Sequence, residues 1–203
     1  MNVKVYFIPA IFISTVLIIT LAFATTIGER PAGFVSIPDN GQFRDDTGEI
    51  PLDYVDMTGG AIDITDSRIN IKITVKNLPE KLAFNRAGTK ENDLEYKWSV
   101  EMDLNGNNTE DLAFSLDHYK APGAAEVTDY LYTQAVPGVF KKSGGSFGML
   151  CDGQMMTNGN TIFMVFMKSA HPDLAAVTKQ AKVRFVCVGR TDKGEVAVDC
   201  IQK

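Results

Sequence analysis

Ile62-Asp63-Ile64-Thr65-Asp66-Ser67-Arg68-Ile69-Asn70-Ile71-Lys72-Ile73-Thr74-Val75 alternates apolar and polar residues on both sides of a polar dipeptide. Side chains along a β-strand point to opposite faces in turn, so this pattern gives one apolar face and one wet face. A two-residue turn at Asp66-Ser67 brings Ile64 opposite Ile69 and Ile62 opposite Ile71. Both apolar sets then share a face, and the register agrees with itself. The stretch therefore predicts a hairpin laid on a core.

The same period recurs along the chain. Strands are predicted at Tyr96 to Met102, Leu112 to Leu116, Thr161 to Met167, Val183 to Val188 and Glu195 to Ile201. Thr161 to Met167 is apolar on both faces, as in a covered central strand. Asn158-Gly159 ahead of it signals a hairpin turn, because both residues tolerate positive φ. One short helix fits, with Pro172 at its first position and Leu174, Val177 and Ala181 on one face. Lys120 to Gly148 reads as long loops around one short strand, Tyr130 to Gln134. Many strands, frequent turns and little helix predict an all-β fold, an antiparallel β-sandwich of jelly-roll or immunoglobulin-like type.

Residues 5 to 24 carry no charge, follow Lys4 and end in Ala22-Phe23-Ala24. A basic start, an apolar core and small residues before a cut describe a secretory signal. The expected organisation is a signal peptide over residues 1–24, a linker over 25–34 and one domain over 35–203. The protein is then secreted or periplasmic; the alternative is an uncleaved N-terminal helix that anchors it. Net charge is −5 and basic residues are scattered. Nucleic acid is excluded as a partner, since its affinity rests on clustered Lys and Arg. Anionic lipid is excluded on the same ground.

Export permits disulfides among Cys151, Cys187 and Cys200. With a two-residue turn at Lys193-Gly194, Cys187 lies opposite Cys200 in a closely spaced pair, and a Cys187–Cys200 disulfide is expected. A competing turn, Asp192-Lys193-Gly194 with a glycine bulge, slips the register by one and separates the sulfurs. Cys151 is left as a small buried hydrophobe.

Asp103, Asn105, Asn107, Thr109 and Asp111 place an oxygen at every second residue after the Trp98 strand. Calcium takes six to eight oxygens, so these five are the expected ligands of a weak calcium site. The loop is not an EF-hand: Asn108 stands at the sixth place and Phe114 at the twelfth. A second acidic stretch runs through Asp45, Asp46, Glu49, Asp53 and Asp56 and could complete that site or form another. Gly144-Gly145-Ser146-Phe147-Gly148 matches a nucleophile elbow in letters but lacks the strand before and helix after it, so it reads as a hairpin loop. His118 and His171 have no metal-ligand or triad partner at useful spacing. Trp98 alternates with core positions, whereas Tyr119, Tyr130 and Tyr132 fall in or near loops and are the expected ligand contacts.

The order of features resembles the secreted bacterial β-sandwich domains of the DOMON-like superfamily, which includes the family-nine carbohydrate-binding modules. The resemblance rests on Asp45-Asp46-Thr47-Gly48-Glu49, the Ile62 to Val75 hairpin, Tyr96-Lys97-Trp98 through Asn107, Asn158-Gly159-Asn160 and a last strand near Asp199. It implies the fold and, through its carbohydrate-binding members, a polysaccharide or cell-surface ligand. The expected function is that of a non-catalytic binding module, not an enzyme; the alternative is a structural or interaction protein of the envelope or of a secreted assembly.

Overall fold

The computed structural model describes residues 26–28, 33–46, 48, 50–130, 136–143, 146–191 and 194–201. The expected signal peptide lies outside them. The described residues form an all-β fold of three sheets, almost wholly antiparallel.

The larger sheet runs in the order β1 (Thr26–Gly28), β15 (Val196–Ile201), β14 (Lys182–Arg190), β7 (Leu94–Asp103), β8 (Leu112–Tyr119), β10 (Gly138–Ser143) and β11 (Ser146–Asp152). A short β2 (Val35–Ser36) also pairs with β14. The second sheet runs β12 (Gln154–Asn158), β13 (Thr161–Met167), β5 (Arg68–Val75), β4 (Met57–Ile64) and β3 (Gln42–Arg44). A small third sheet pairs β6 (Lys81–Phe84) with β9 (Val127–Tyr130). Among the described residues the one parallel pair is β1 with β15, so Thr26–Gly28, inside the expected linker, adds a strand to the sheet.

The Ile62 to Val75 hairpin forms in the expected register. Ile62 pairs with Ile71 and Ile64 with Ile69, and the Thr65 amide donates to the Arg68 carbonyl at 2.9 Å. Ile69, Ile71, Ile73 and Val75 are all buried, joined by Ile162, Met164 and Phe166 of β13. The larger sheet supplies Tyr96, Trp98, Val100, Met102, Phe114 and Phe185 to the same core. Rings of the two sheets meet directly: Phe43 and Phe185 at 4.9 Å between centroids, Phe114 and Phe166 at 5.1 Å. Each such side chain contributes roughly 1.5–3 kcal/mol by leaving water.

Several details depart from expectation. The hairpin turn after β12 is Gly159-Asn160, with Asn158 paired to Thr161 and φ of +55° at Gly159. The outer face of β13 is not covered, since Met167 is exposed and Phe163 and Val165 are half-buried. Lys120 to Gly148 contains β9, β10 and part of β11 rather than one strand. The expected strand at Tyr130 to Gln134 begins at the end of β9 and otherwise lies outside the described residues. The expected helix is two 3-10 turns, Lys168–Ala170 and Pro172–Ala176; Leu174, Val177 and Ala181 are buried as a set.

The expected disulfide is corrected. Cys187 pairs with Asp199 and Cys200 with Val186, one residue out of the bonding register, and all three cysteines are free. The cause is the loop. The Thr191 amide donates to the Glu195 carbonyl and the Gly194 amide to the Thr191 carbonyl, with Gly194 at φ +79°. This closure around three residues, the competing turn, puts Cys187 and Cys200 on opposite faces of the sheet. Asp192 and Lys193 themselves lie outside the described residues.

Gly60 permits the ring contact that joins the sheets: a Cβ there would stand 2.3 Å from the Phe185 ring. Gly60→Ala should destabilise the protein by about 1–3 kcal/mol, as overpacked cores do, read as a lower urea midpoint at unchanged slope.

Candidate functional site

Buried Glu95 and Arg190 lie at one end of the larger sheet. Strand β7 starts with a bulge: Leu94 pairs with Tyr119 and Tyr96 with His118, leaving Glu95 as the extra residue. Its side chain is thereby re-aimed. The Glu95 carboxylate is fully buried and accepts the amides of Asn85 and Arg86, each at 2.7 Å, and lies 3.0 Å from His118 Nδ1. A buried carboxylate is costly unless such donors surround it. Asn85 takes φ +56° to turn both amides inward. The His118 ring stands edge-on to Phe84 at 4.7 Å.

Arg190, also buried, braces the same end. It donates to the carbonyls of Leu94 at 2.6 Å and Gly194 at 3.2 Å, and it pairs with Asp93 at 3.2 Å. Arg86 Nη1 donates to the Arg190 carbonyl at 2.6 Å, Lys120 Nζ to the Arg86 carbonyl at 2.7 Å, and the Ala87 amide to Glu126 at 3.1 Å. These bonds frame a cleft of about 290 Å³ lined by Ala83, Arg86, Ala87, Gly88, Thr89, Glu126 and Thr191. Its walls offer a guanidinium, a carboxylate and two hydroxyls.

Of the expected tyrosine contacts, Tyr119 is not among the residues that line this cleft. Tyr119 is exposed at the end of β8, beside Asp117 and Lys97. Tyr130 ends β9, its backbone opposite Lys81, and Tyr132 lies outside the described residues. Trp98 is buried, as its alternation predicted, and its Nε1 donates to the Tyr54 carbonyl at 2.9 Å.

On the outward face of β7, Glu101 is held by Lys97 at 3.0 Å and by the Arg184 guanidinium, whose Nε lies 2.9 Å away. Burial opposes its ionisation, but the two cations outweigh that and keep its carboxyl below the usual range. Glu110 is pushed the other way, up to about 7, by burial and then by the charge of Glu101.

The expected calcium ligands share one loop, but their oxygens serve its backbone. Asp103 accepts the amides of Asn105, Gly106, Asn107 and Asn108 at 2.7–3.2 Å. Burial disfavours its charge, yet these donors hold its carboxyl below the ordinary value. Asp111 accepts the Leu104 amide at 2.8 Å and the Asn105 side chain at 3.2 Å; Asn107 accepts both the amide and the hydroxyl of Thr109. No three His, Cys, Asp or Glu among the described residues are grouped to hold a metal ion. In the second acidic stretch Lys76 supplies the positive charge, 2.8 Å from Asp53 and 3.7 Å from Asp56. His171 caps the second 3-10 turn by accepting the Asp173 amide. Ser146 stands at the start of β11, its hydroxyl on the Ser143 carbonyl at 3.2 Å.

No protein-family model matches the chain, and neither does a curated protein or a solved structure.

Two tests follow from this geometry. Asp103→Ala should lower the melting midpoint by stranding four amides, read by thermal unfolding of the two proteins side by side. Glu110 binds its proton more tightly in the fold (about 7) than its ordinary value of 4.5. The stability this gives is whole below the ordinary value and is lost as pH rises through about 7. Glu110→Gln, which stays neutral, should melt above the wild type at about pH 8, and the gap should close towards about pH 4.

Proposed function

We propose that the chain is an exported, non-catalytic binding module, its two main sheets forming a β-sandwich that presents the Arg86–Glu126 cleft to a hydroxyl-rich ligand such as a glycan. The cleft carries the reading. Arg86 in its wall is fixed by bonds to the buried residues Glu95 and Arg190, which lowers the ordering cost of binding there. Arginine, carboxylate and threonine side chains suit the alternating donors and acceptors of a sugar. The lining has a single carboxylate and no serine, cysteine or histidine, which favours recognition over chemistry. The DOMON-like likeness belongs to the same proposal, supported by the order of hairpin, Trp98 strand, Asp103 loop and final strands.

The second reading, an interaction protein of an assembly, draws on a different feature. Phe147, Met149, Met156 and Met167 are exposed apolar side chains on or beside the sheet edges, where natural proteins usually blunt such surfaces.

A glycan array with the exported protein tests the first reading. Binding to at least one neutral glycan is expected. Glu126→Gln and Arg86→Gln should weaken it by about tenfold or more, equivalent to about 1.4 kcal/mol, and Tyr119→Ala should leave it unchanged. Loss confined to Tyr119→Ala would move the site to the outer face of β7 and β8.

A further inference from the structure

The two main sheets end on one flank, on consecutive strands. β11 is the last strand of the larger sheet, β12 the first of the second sheet, and Gly153 alone separates them. Among the described residues each has one neighbour, so each leaves a row of backbone N–H and C=O groups with no described strand beside it. From Ser146 to Asn158 the sequence is Ser-Phe-Gly-Met-Leu-Cys-Asp-Gly-Gln-Met-Met-Thr-Asn, with Asp152 as its one charge and no proline. Phe147, Met149 and Met156 are 48%, 52% and 64% exposed. The opposite flank differs: its edge strands, β1 and β3, are three residues each.

We infer that this flank is a homodimer interface, in which β11 pairs antiparallel with β11 of a second copy and the larger sheet runs on across a two-fold axis. The partner is argued from the strand itself. A two-fold contact sets the same surface against itself, and a strand whose single charge, Asp152, stands at one end meets its antiparallel copy with the two charges at opposite ends of the pair. Full overlap of the seven residues Ser146–Asp152 centres the pair on Met149, opposite its own copy, with Phe147 opposite Cys151 and Ser146 opposite Asp152. Ser146 pairs with Ser143 on β10, next to Lys141 and Lys142. The antiparallel arrangement thus brings the acidic end of each strand to the lysine end of the other, which a parallel one would not. The apolar side chains of Phe147 and Met149 leave water in the same step.

Sedimentation of the chain as the expressing cell processes it, from about 1 to about 100 µM, reads the equilibrium directly, beside Phe147→Lys and Met149→Lys. Both positions are half-exposed, so the variants should keep the wild-type circular dichroism. A wild-type dimer is expected, weakened by about tenfold or more in each variant. Hydrogen exchange should show alternate amides of 146–152 protected in the wild type at high concentration and exposed in the variants. A wild-type monomer throughout the range overturns the inference. So does a dimer that neither lysine weakens, or one whose 146–152 amides exchange as fast at high concentration as at low. An extended peptide that binds the monomer at β11 would make the edge a site for another chain, and the homodimer would likewise be rejected.

Discussion

One register decides what the middle of this protein contains. The closure of β14 on β15 around Gly194 sets Cys187 beside Asp199, and both belong to the inner face. From there the Asp199 carboxylate accepts the Met57 amide at 2.5 Å, tying the larger sheet to the first residue of β4 in the second. Burial and then the charge of Asp199 push the Cys187 thiol well above its usual range, and Cys200 is pushed up to about 12 by the same two causes. A slip of one residue would turn Asp199 outward and leave the Met57 amide without that acceptor. It would also exchange a polar tie between sheets for a sulfur pair within one. The fold uses the first arrangement, and the thiols are held protonated by it.

The polar end is ordered by a comparable constraint. A fully buried carboxylate must be surrounded by donors, and Glu95 draws them from a loop that would otherwise be loose. Two consecutive amides and a histidine converge on it, which fixes the backbone of Asn85 and Arg86. Arg190 then closes the loop against Leu94 and Gly194. The cleft is the space left between segments that these groups hold apart, so its shape depends on residues that do not line it.

Much of the architecture was legible because it rests on period two. The Ile62–Val75 hairpin and the strands around Trp98, Phe114, Met164 and Phe185 bury the faces that alternation predicts. Turns were less legible. Asn158-Gly159-Asn160 supports two adjacent turn placements, and Asp192-Lys193-Gly194 supports two registers, because glycine and its polar neighbours suit both. β10 was missed since Gly138 and the lysine pair weaken the strand signal of Val139-Phe140. Glu95 and His118 stand far apart in sequence and meet only through the bulge, which alternation cannot reveal. The Asp103 loop was recognised as a cluster of oxygens. The direction of those oxygens, towards amides brought inward by Gly106 and Asn108 at positive φ, depends on backbone geometry that spacing does not show.

Trp98 is the sole tryptophan of the chain, and it is buried with its ring stacked on Tyr96 at 5.9 Å and near Tyr54 at 6.5 Å. Tyr96 in turn meets Phe84, which meets His118 at the polar end. The molecule therefore carries its own optical gauge. Ultraviolet light absorbed by the neighbouring tyrosines drains to a single indole, whose emission colour reports whether water has entered the core. Because the ring contacts run from Trp98 to His118 beside Glu95, an opening of that end is visible without a dye.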